Sequence, residues 1–138
     1  MLFELATPTR MLVTAEADEV VVPGVEGYFG VLPGHAAFLT TLAPGEVTYR
    51  NGQTEYRIAV TGGFAEVRAE RMIILAENAE RPEEIDRERA ERARRRAEMR
   101  LQGKSPDGSQ EEVDFARALA ALGRALTRLV VANRASSQ

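Results

Sequence analysis

Short apolar runs, bounded by turn-forming residues, recur through the first 80 residues. The clearest case is "VTYRNGQTEYRIAV", Val47 to Val60, in which apolar and polar residues alternate on both sides of the pair Asn51 and Gly52. Such a pair supplies the positive φ angles of a two-residue hairpin turn. Further short apolar runs are separated by proline, glycine or aspartate at intervals that suit a sandwich of antiparallel strands. The pattern therefore predicts an all-β domain before Pro82.

After Pro82 the apolar residues recur every three or four positions instead. The two repeating sets are Ala90, Ala93, Ala97 and Leu101, and then Leu119, Leu122, Leu126 and Leu129. Each set shares one helical face, so two amphipathic helices are predicted. Ser109 and Glu112 form an S-x-x-E capping box, which predicts the start of the second helix. The segment is predicted to be a helical hairpin that is only marginally held in place, because alanines bury little apolar area.

Charge changes at the same point in the chain. Residues 1–80 carry five arginines and eleven acidic residues, a net charge of −6, whereas residues 81–138 carry thirteen basic and ten acidic residues, a net charge of +3. The total of −3 hides this asymmetry. Two domains are therefore predicted, a β domain over residues 1–81 and a helical domain over residues 82–138.

Composition removes several classes of function. The chain has no cysteine, which excludes disulfides and thiolate metal sites. Apolar runs such as Met72 to Ala76 are far shorter than the roughly 20 residues of a membrane-spanning helix, so no direct membrane insertion is expected. No secretion signal is recognised at the start. The phosphate-binding pattern GxxxxGK[ST] is absent, and the glycines between Gly24 and Gly30 are interpreted as turn residues.

His35 is the single histidine of the chain, between a Pro-Gly turn and an apolar run. A general base, a metal ligand and an interface residue are the three possibilities. No second histidine, no cysteine and no serine in an elbow pattern accompanies it, so neither a zinc site nor a catalytic triad can be assembled. A packed or interface histidine is favoured, with no metal site and no catalytic residue expected.

Arginines crowd the first predicted helix, and two interpretations are open. A solvated face with i, i+4 pairs such as Glu91 with Arg95 is the ordinary one. Nucleic acid is disfavoured, because acidic residues interleave and no aromatic residue lies within this run to stack on a base. The other interpretation is a phosphate pocket formed when the hairpin closes antiparallel. Its residues would be Asp86, Arg89 and Arg96 from the first helix and Arg124 and Arg128 from the second.

Four motifs in register, "GVLPGHAAFLTTLAPGEV", "GGFAEV", "ILAENAE" and "EIDRERAERA", resemble the epsilon subunit of bacterial F-type ATP synthases over essentially the whole chain. The family pattern Pro-Gly-His-Ala, Leu-Thr and Pro-Gly is met by Pro33, Gly34, His35, Ala36, Leu39, Thr40, Pro44 and Gly45. The chain departs from the family at Ala37, where proline is common. It also departs at Tyr28 and Phe29, where an acidic and then an aliphatic residue are frequent.

The resemblance implies a fold and a set of partners. It implies an N-terminal ten-stranded β-sandwich followed by a C-terminal antiparallel two-helix hairpin, in agreement with both halves of the pattern. The sandwich would bind the gamma subunit and rest on the membrane rotor ring of c subunits. The expected gamma interface includes His35, Phe38 and Leu39, and the expected ring-facing edge includes Tyr28 and Phe29.

The family's role is that of a non-catalytic subunit at the cytoplasmic face of the bacterial cell membrane, which couples ion-driven rotation to ATP synthesis. The resemblance also implies that the hairpin inhibits ATP hydrolysis by extending towards the alpha/beta catalytic head. Arg124, Arg128 and Arg134 would then approach acidic segments of that head.

Nucleotide-binding members of the family carry the signature I-D-x-x-R-A, which Ile85, Asp86, Arg89 and Ala90 match. Arg96, Arg124 and Arg128 occupy the places of the remaining nucleotide-binding arginines, so ATP is expected as a regulatory ligand and no other cofactor is expected. Two alternatives to this role remain. A free-standing ATP-binding sensor module leaves the apolar "GHAAFL" segment unexplained, and a β-sandwich enzyme lacks a set of acids and bases.

Overall fold

The computed structural model of the chain describes residues 1–104 and 114–136. The chain divides into two compact units, Met1–Arg81 and Pro82–Gln138. Each unit is described here by itself.

The first unit consists of short strands, all of which lie within the described residues. They are β1 (Leu2–Ala6), β2 (Met11–Glu16), β3 (Glu19–Gly24), β4 (Gly27–Val31), β5 (Phe38–Leu42), β6 (Gly45–Asn51), β7 (Thr54–Val60), β8 (Gly63–Val67), β9 (Arg71–Ala76) and β10 (Ala79–Glu80). The predicted sandwich of ten strands is therefore confirmed.

The strands form two layers that share a single connection. One layer contains β10, β7, β6, β3 and β4, and the other contains β5, β8, β9, β1 and β2. The layers join through one residue pair, Gly24 opposite Leu42. All pairings are antiparallel except that of β1 with β9. This arrangement leaves β10 and β2 at edges of their layers, and β4 also pairs on one side only.

The core lies between the layers, where alternate residues of each strand point inwards. The largest fully buried side chains of the sandwich are Phe3, Leu5, Val20, Val22, Val31, Val47, Ile58, Val60, Val67, Met72 and Ile74. The ring of Phe3 packs on that of Tyr49 with centroids 5.1 Å apart. Burial of each such side chain contributes roughly 1.5–3 kcal/mol, so this core is the main source of stability.

The predicted hairpin forms, but its turn lies one residue further along. Asn51 pairs with Thr54 as the last residue of β6, so Gly52 and Gln53 form the loop. Of these two loop residues, only Gly52 has a positive φ, of 64°, which suits a type II′ turn with glycine in its first central position. The Asp18 carboxylate accepts a hydrogen bond from the Gly52 amide at 2.7 Å and fixes the turn there. The prediction of Asn51 as a loop residue was therefore wrong.

The second unit begins with a 3-10 turn, Pro82–Glu84, and contains the helices α1 (Arg87–Leu101) and α2 (Phe115–Ser136). Asp86 caps α1 by accepting the Arg89 amide at 3.0 Å. Asp114 plays the same role for α2, accepting the Arg117 amide at 3.1 Å. The predicted capping box of Ser109 and Glu112 lies outside the described residues.

The two helices pack antiparallel through alanines. Arg87, at the start of α1, donates a hydrogen bond to the carbonyl oxygen of Ala132 near the end of α2. Ala90 and Ala97 of α1 are buried, as predicted, and so are Ala118, Ala125 and Ala132 of α2. Small residues let the helix axes approach closely.

The leucine face of α2 is not the face that the hairpin buries. Leu119 remains 62% exposed and Leu126 43% exposed. Leu122 and Leu129 are half-buried. The leucines lie next to the alanine stripe, so the close packing of α1 on the alanines leaves much of this second apolar face uncovered. No helix built from the described residues is long and apolar enough to cross a membrane.

Candidate functional site

Three of the predicted interface residues form an aromatic cluster at one end of the sandwich. The Phe38 ring lies 5.4 Å from that of Phe29 and 5.1 Å from that of His35, measured between centroids. The His35 Nδ1 donates a hydrogen bond to the Ala36 carbonyl oxygen at 2.8 Å, which holds the imidazole against Phe38. His35 is exposed at the edge of this cluster, so it is available to a partner protein.

Tyr28 is not part of that cluster, although it is adjacent to Phe29 in sequence. Neighbouring residues of a strand point to opposite faces, and the Tyr28 side chain crosses to the start of β6. Its hydroxyl oxygen accepts a hydrogen bond from the Glu46 amide at 3.0 Å. A side chain at Gly45 would overlap Pro23 and this hydroxyl, which explains why glycine is needed there. Tyr28 thus joins β4 to β6 while its ring stays mostly exposed.

Leu39 belongs to a larger apolar surface that the sequence analysis did not identify. It is 69% exposed, and Phe64 of β8 and Leu75 of β9 lie exposed on the same outer face of the sheet. The strand register places Phe64 opposite both Thr41 and Leu75. We call Leu39, Phe64 and Leu75 the outer apolar patch. The sequence does contain one indication of this patch, the unbroken apolar run Met72 to Ala76. A strand with one solvated face normally alternates apolar and polar residues, so an unbroken run indicates that the outer face is apolar too.

Two surface grooves flank Leu39. One, of about 570 Å³, is lined by residues that include Phe29, Phe38, Leu39 and Phe64. The other, of about 660 Å³, is lined by Ala37, Phe38, Leu39, Glu66, Val67 and Arg68. The grooves connect the aromatic cluster with the outer apolar patch. Most of the predicted gamma-binding residues therefore share one continuous surface.

Charged residues on one flank of α1 are paired with each other. Arg94 donates from Nη2 to the Glu91 carboxylate and from Nη1 to the Glu98 carboxylate, the latter at 2.7 Å. The hydrogen bond from Arg94 lowers the pKa of Glu91 below its ordinary value, and the same carboxylate raises the pKa of Arg94. Arg95 also lies 3.6 Å from Glu91. The predicted pairing of Glu91 with Arg95 is thus observed, with Arg94 as the stronger partner.

The predicted nucleotide-binding arginines lie on the other flank of the hairpin. Arg89 and Arg96 each precede a buried alanine of α1, and Arg124 precedes the buried Ala125 of α2. In an antiparallel helix pair, residues that directly precede a buried interface residue lie on the same side of the pair, whichever helix they belong to. The guanidinium groups of these three arginines have no ion-pair partner among the described residues. Within the described part of the chain, they therefore form a flank of three arginines without ion pairs.

The remaining members of the predicted site have structural positions beside that flank. The Asp86 carboxylate caps α1 through the Arg89 amide, so these two residues of the signature are in direct contact. Ile85 and Ala90 are buried. Arg128 follows Arg124 by one turn of α2 and is half-buried. Arg134 lies in the last turn of α2, within the part that the structure describes.

A groove of about 600 Å³ lies on the paired flank instead. Its lining consists of Arg87, Glu88, Glu91, Arg92, Arg95, Leu129 and Asn133. Two glutamates offset its three arginines. The charge balance of the described residues therefore favours the flank of Arg89, Arg96 and Arg124 for an anion.

The described residues contain no group of three or more potential metal ligands from histidine, cysteine, aspartate and glutamate. The site geometry is that of binding surfaces, one apolar and one cationic.

Comparison with known proteins agrees with this geometry. A model described as ATP synthase, Delta/Epsilon chain, beta-sandwich domain matches residues 1–82, and one described as the long alpha-helix domain of the same chain matches residues 83–133. The ATP synthase epsilon chain of Moorella thermoacetica is 50% identical over 130 residues, covering 94% of this chain and 93% of the relative. That of Geobacter metallireducens is 44% identical over 133 residues, covering 96% and 94%.

Solved structures share the fold at lower identity. A chain of the Euglena gracilis mitochondrial ATP synthase, in a structure of its OSCP, F1 and c-ring, superposes with a TM-score of 0.76 at 23% identity, covering 99% of this chain and 80% of that one. A chain in the central stalk and c-ring of the Tetrahymena thermophila enzyme superposes with a TM-score of 0.57 at 18% identity, covering 98% and 95%. From the family models and curated relatives together, the chain belongs to the ATP synthase delta/epsilon chain family, as a non-catalytic subunit and not an enzyme by itself.

Proposed function

We propose that this chain is the epsilon subunit of a bacterial ATP synthase central stalk, with its sandwich bound to the gamma subunit. The observation that carries this proposal is the outer apolar patch with the adjoining aromatic cluster. Leu39, Phe64 and Leu75 are each more than half exposed on one face of the sheet. A contiguous apolar surface of this kind marks a protein interface. A free-standing ATP sensor would have no use for it.

A second exposed edge, at Tyr28, supports a place next to the rotor ring at the cytoplasmic face of the cell membrane. Tyr28 lies exposed in β4, which ends at Val31, just before the Pro33-Gly34 turn and His35. We assign the Tyr28 edge to the ring of c subunits and the patch to gamma. The subunit would be peripheral, held by these protein contacts.

Gamma binding is tested by replacing two patch residues with polar ones. The variant Leu39→Gln with Phe64→Gln is expected to bind purified gamma at least ten-fold more weakly, because each side chain would lose roughly 1.5–3 kcal/mol of apolar burial. The control is Tyr56→Gln, which changes an exposed aromatic residue on β7, in the other layer of the sandwich. Equal affinities of both variants for gamma would contradict the assignment.

We also propose that the hairpin inhibits ATP hydrolysis by opening and moving α2 to the catalytic head. Residues 115–136 include four arginines and no acidic residue. Together with the largely uncovered leucine face, this makes α2 suited to an acidic and partly apolar surface. Replacing Arg124 and Arg128 with alanine should raise hydrolysis by the assembled complex, with Arg100→Ala as a control on α1. Unchanged hydrolysis would remove these residues from the inhibitory contact.

ATP is proposed as the ligand that favours the closed hairpin. The guanidinium groups of Arg89, Arg96 and Arg124, which have no ion pair among the described residues, offer forked donors to phosphate oxygens. Because Asp86 caps α1 next to Arg89, ligand binding there would also stabilise the start of the helix. At an ATP concentration 100 times the dissociation constant, the closed state would gain about 2.7 kcal/mol. High ATP would thereby relieve inhibition.

Titration calorimetry on the full chain distinguishes the two flanks. The variant Arg89→Ala with Arg124→Ala should lose most of the ATP affinity. The matched control, Arg92→Ala with Arg95→Ala, removes the same charge from the groove side and should keep it. The opposite ranking would place the nucleotide in the groove, and no heat from the unmodified chain at millimolar ATP would contradict ATP binding altogether.

A further inference from the structure

The sandwich has a second closure, made by side chains, at the edges that the strand pairing leaves open. Arg10, in the turn before β2, donates from Nη2 to the carbonyl oxygen of Ala79 in β10 at 3.2 Å. Arg81, directly after β10, donates from Nη2 to the carbonyl oxygen of Leu12 in β2 at 2.7 Å. Each arginine thus reaches from one edge strand to the main chain of the other.

The two arginine hydrogen bonds add to the short strand pairing of β10. This strand has two residues, Ala79 and Glu80, which pair with Val60 and Ala59 on one side. A backbone carbonyl that faces a layer edge needs a partner, and a two-residue strand offers little cooperative pairing to hold the chain. Both arginine hydrogen bonds are partly buried. An arginine suits such a position because its guanidinium group stays ionised and offers several donors in a fixed fork.

This side-chain closure lies next to the junction between the two units. Arg81 is the last residue of the first unit, and Pro82 is the first of the second. Proline also restricts the preceding residue to extended conformations, which continues the direction of β10. The chain therefore passes from the sandwich to the helical unit directly after β10 and Arg81.

We propose that Arg10 and Arg81 act as a clamp that anchors the joint between the two units to the sandwich. With the clamp in place, movement of the helical unit begins at Pro82 and does not detach β10 from β7. The anchoring itself is independent of the proposed function. Its benefit to hairpin opening rests on the proposed inhibitory role.

Amide hydrogen exchange on the full chain, followed by NMR, tests the clamp. The Thr61 amide donates to the Asn78 carbonyl oxygen at 3.1 Å, directly before β10, and reports whether this segment stays attached. In the variant Arg10→Ala with Arg81→Ala, the Thr61 amide is expected to exchange at least ten-fold faster. Amides in the β6–β7 ladder, such as those of Val47 and Ile58, should keep their rates.

The matched control is Arg68→Ala with Arg71→Ala, which removes two arginines that pair with Glu66 and Glu4 in the same sandwich. It should leave Thr61 exchange unchanged. Equal acceleration of Thr61 and the ladder amides would show general destabilisation and overturn the proposal, as would an unchanged Thr61 rate. If the double variant does not fold, the single variants Arg10→Gln and Arg81→Gln each remove one bond and give the same comparison. No gamma subunit, catalytic head or nucleotide is present, so failure of the proposed function does not affect this result.

Discussion

The Arg87 Nη2 atom lies 2.5 Å from the carbonyl oxygen of Ala132, and this hydrogen bond joins the first residue of α1 to the final turns of α2. The alanines between the helices bury little area, and this charged hydrogen bond at the open end of the hairpin adds to their stabilisation. The bond also defines the closed state, since the two residues separate when the helices part.

Arg87→Ala should therefore lower the free energy of unfolding of the hairpin by about 1 kcal/mol, the usual size of one hydrogen bond. Urea unfolding followed by helical circular dichroism measures this loss. Arg100→Ala, an exposed arginine in the last turn of the same helix, is the control and should change stability by less than about 0.5 kcal/mol. Equal losses in both variants would show that the Arg87 bond adds nothing specific.

Gly123→Ala should stabilise α2. Gly123 lies inside the helix, and a side chain built there meets no atom within 4 Å. Alanine restricts the unfolded chain and favours the helix by roughly 0.5–1 kcal/mol. Thermal unfolding of the variant, followed at 222 nm, should shift upwards; a downward shift would mean that the chain requires glycine at this point.

Gly63→Ala, in contrast, should destabilise the protein. Gly63 has a φ of 130°, and an added Cβ would lie 2.1 Å from the Leu75 carbonyl oxygen. Both the left-handed backbone and this overlap oppose alanine, so the sandwich should lose about 2 kcal/mol or more. Denaturant unfolding followed by tyrosine fluorescence measures the loss, and a neutral effect would contradict the close approach of β8 and β9.

Acid should weaken α1 through Glu91. The hydrogen bond from Arg94 lowers the pKa of this carboxyl, so its stabilising contribution is present above the ordinary glutamate pKa and is lost as pH falls through the lowered value. Glu91→Gln should reduce helical content at neutral pH and match the unmodified chain at the lowest pH of the titration. A constant difference between the two proteins across pH would show that charge is not the cause.

The choice of packing face predicts contrasting effects for two residues of α2. Leu126→Gln changes an exposed side chain, so the isolated chain should lose less than about 0.5 kcal/mol. Ala125→Leu places extra volume between closely packed helices and should cost about 1–3 kcal/mol. Unfolding of both variants in urea compares them directly. A larger loss for Leu126→Gln would mean that the leucines are the buried face.

Local pattern was sufficient for much of the architecture. Strand alternation before Pro82 and the three-to-four repeat after it predicted a sandwich followed by two helices, because side-chain direction follows the backbone period of each element. Motif resemblance predicted the family, and the family models confirm it. The aromatic cluster was partly foreseeable, since His35 and Phe38 belong to a segment that carries the resemblance, whereas Phe29 lies just before it, where the chain departs from the family.

Other features depend on residues that meet only in the folded chain. The turn at Gly52 was shifted by the Asp18 carboxylate, which is 34 residues away, and the clamp of Arg10 and Arg81 joins partners 69 residues apart. The outer apolar patch arises from three strands whose register no local pattern determines.

The sequence alone determined the two units, their classes and the family, because these depend on periodicity, charge and motifs along the chain. Only the tertiary structure decided that α2 packs through Ala118, Ala125 and Ala132 and leaves Leu119 and Leu126 exposed. Both faces of that helix are apolar, so hydrophobicity could not choose between them. The close approach that small side chains allow made the choice.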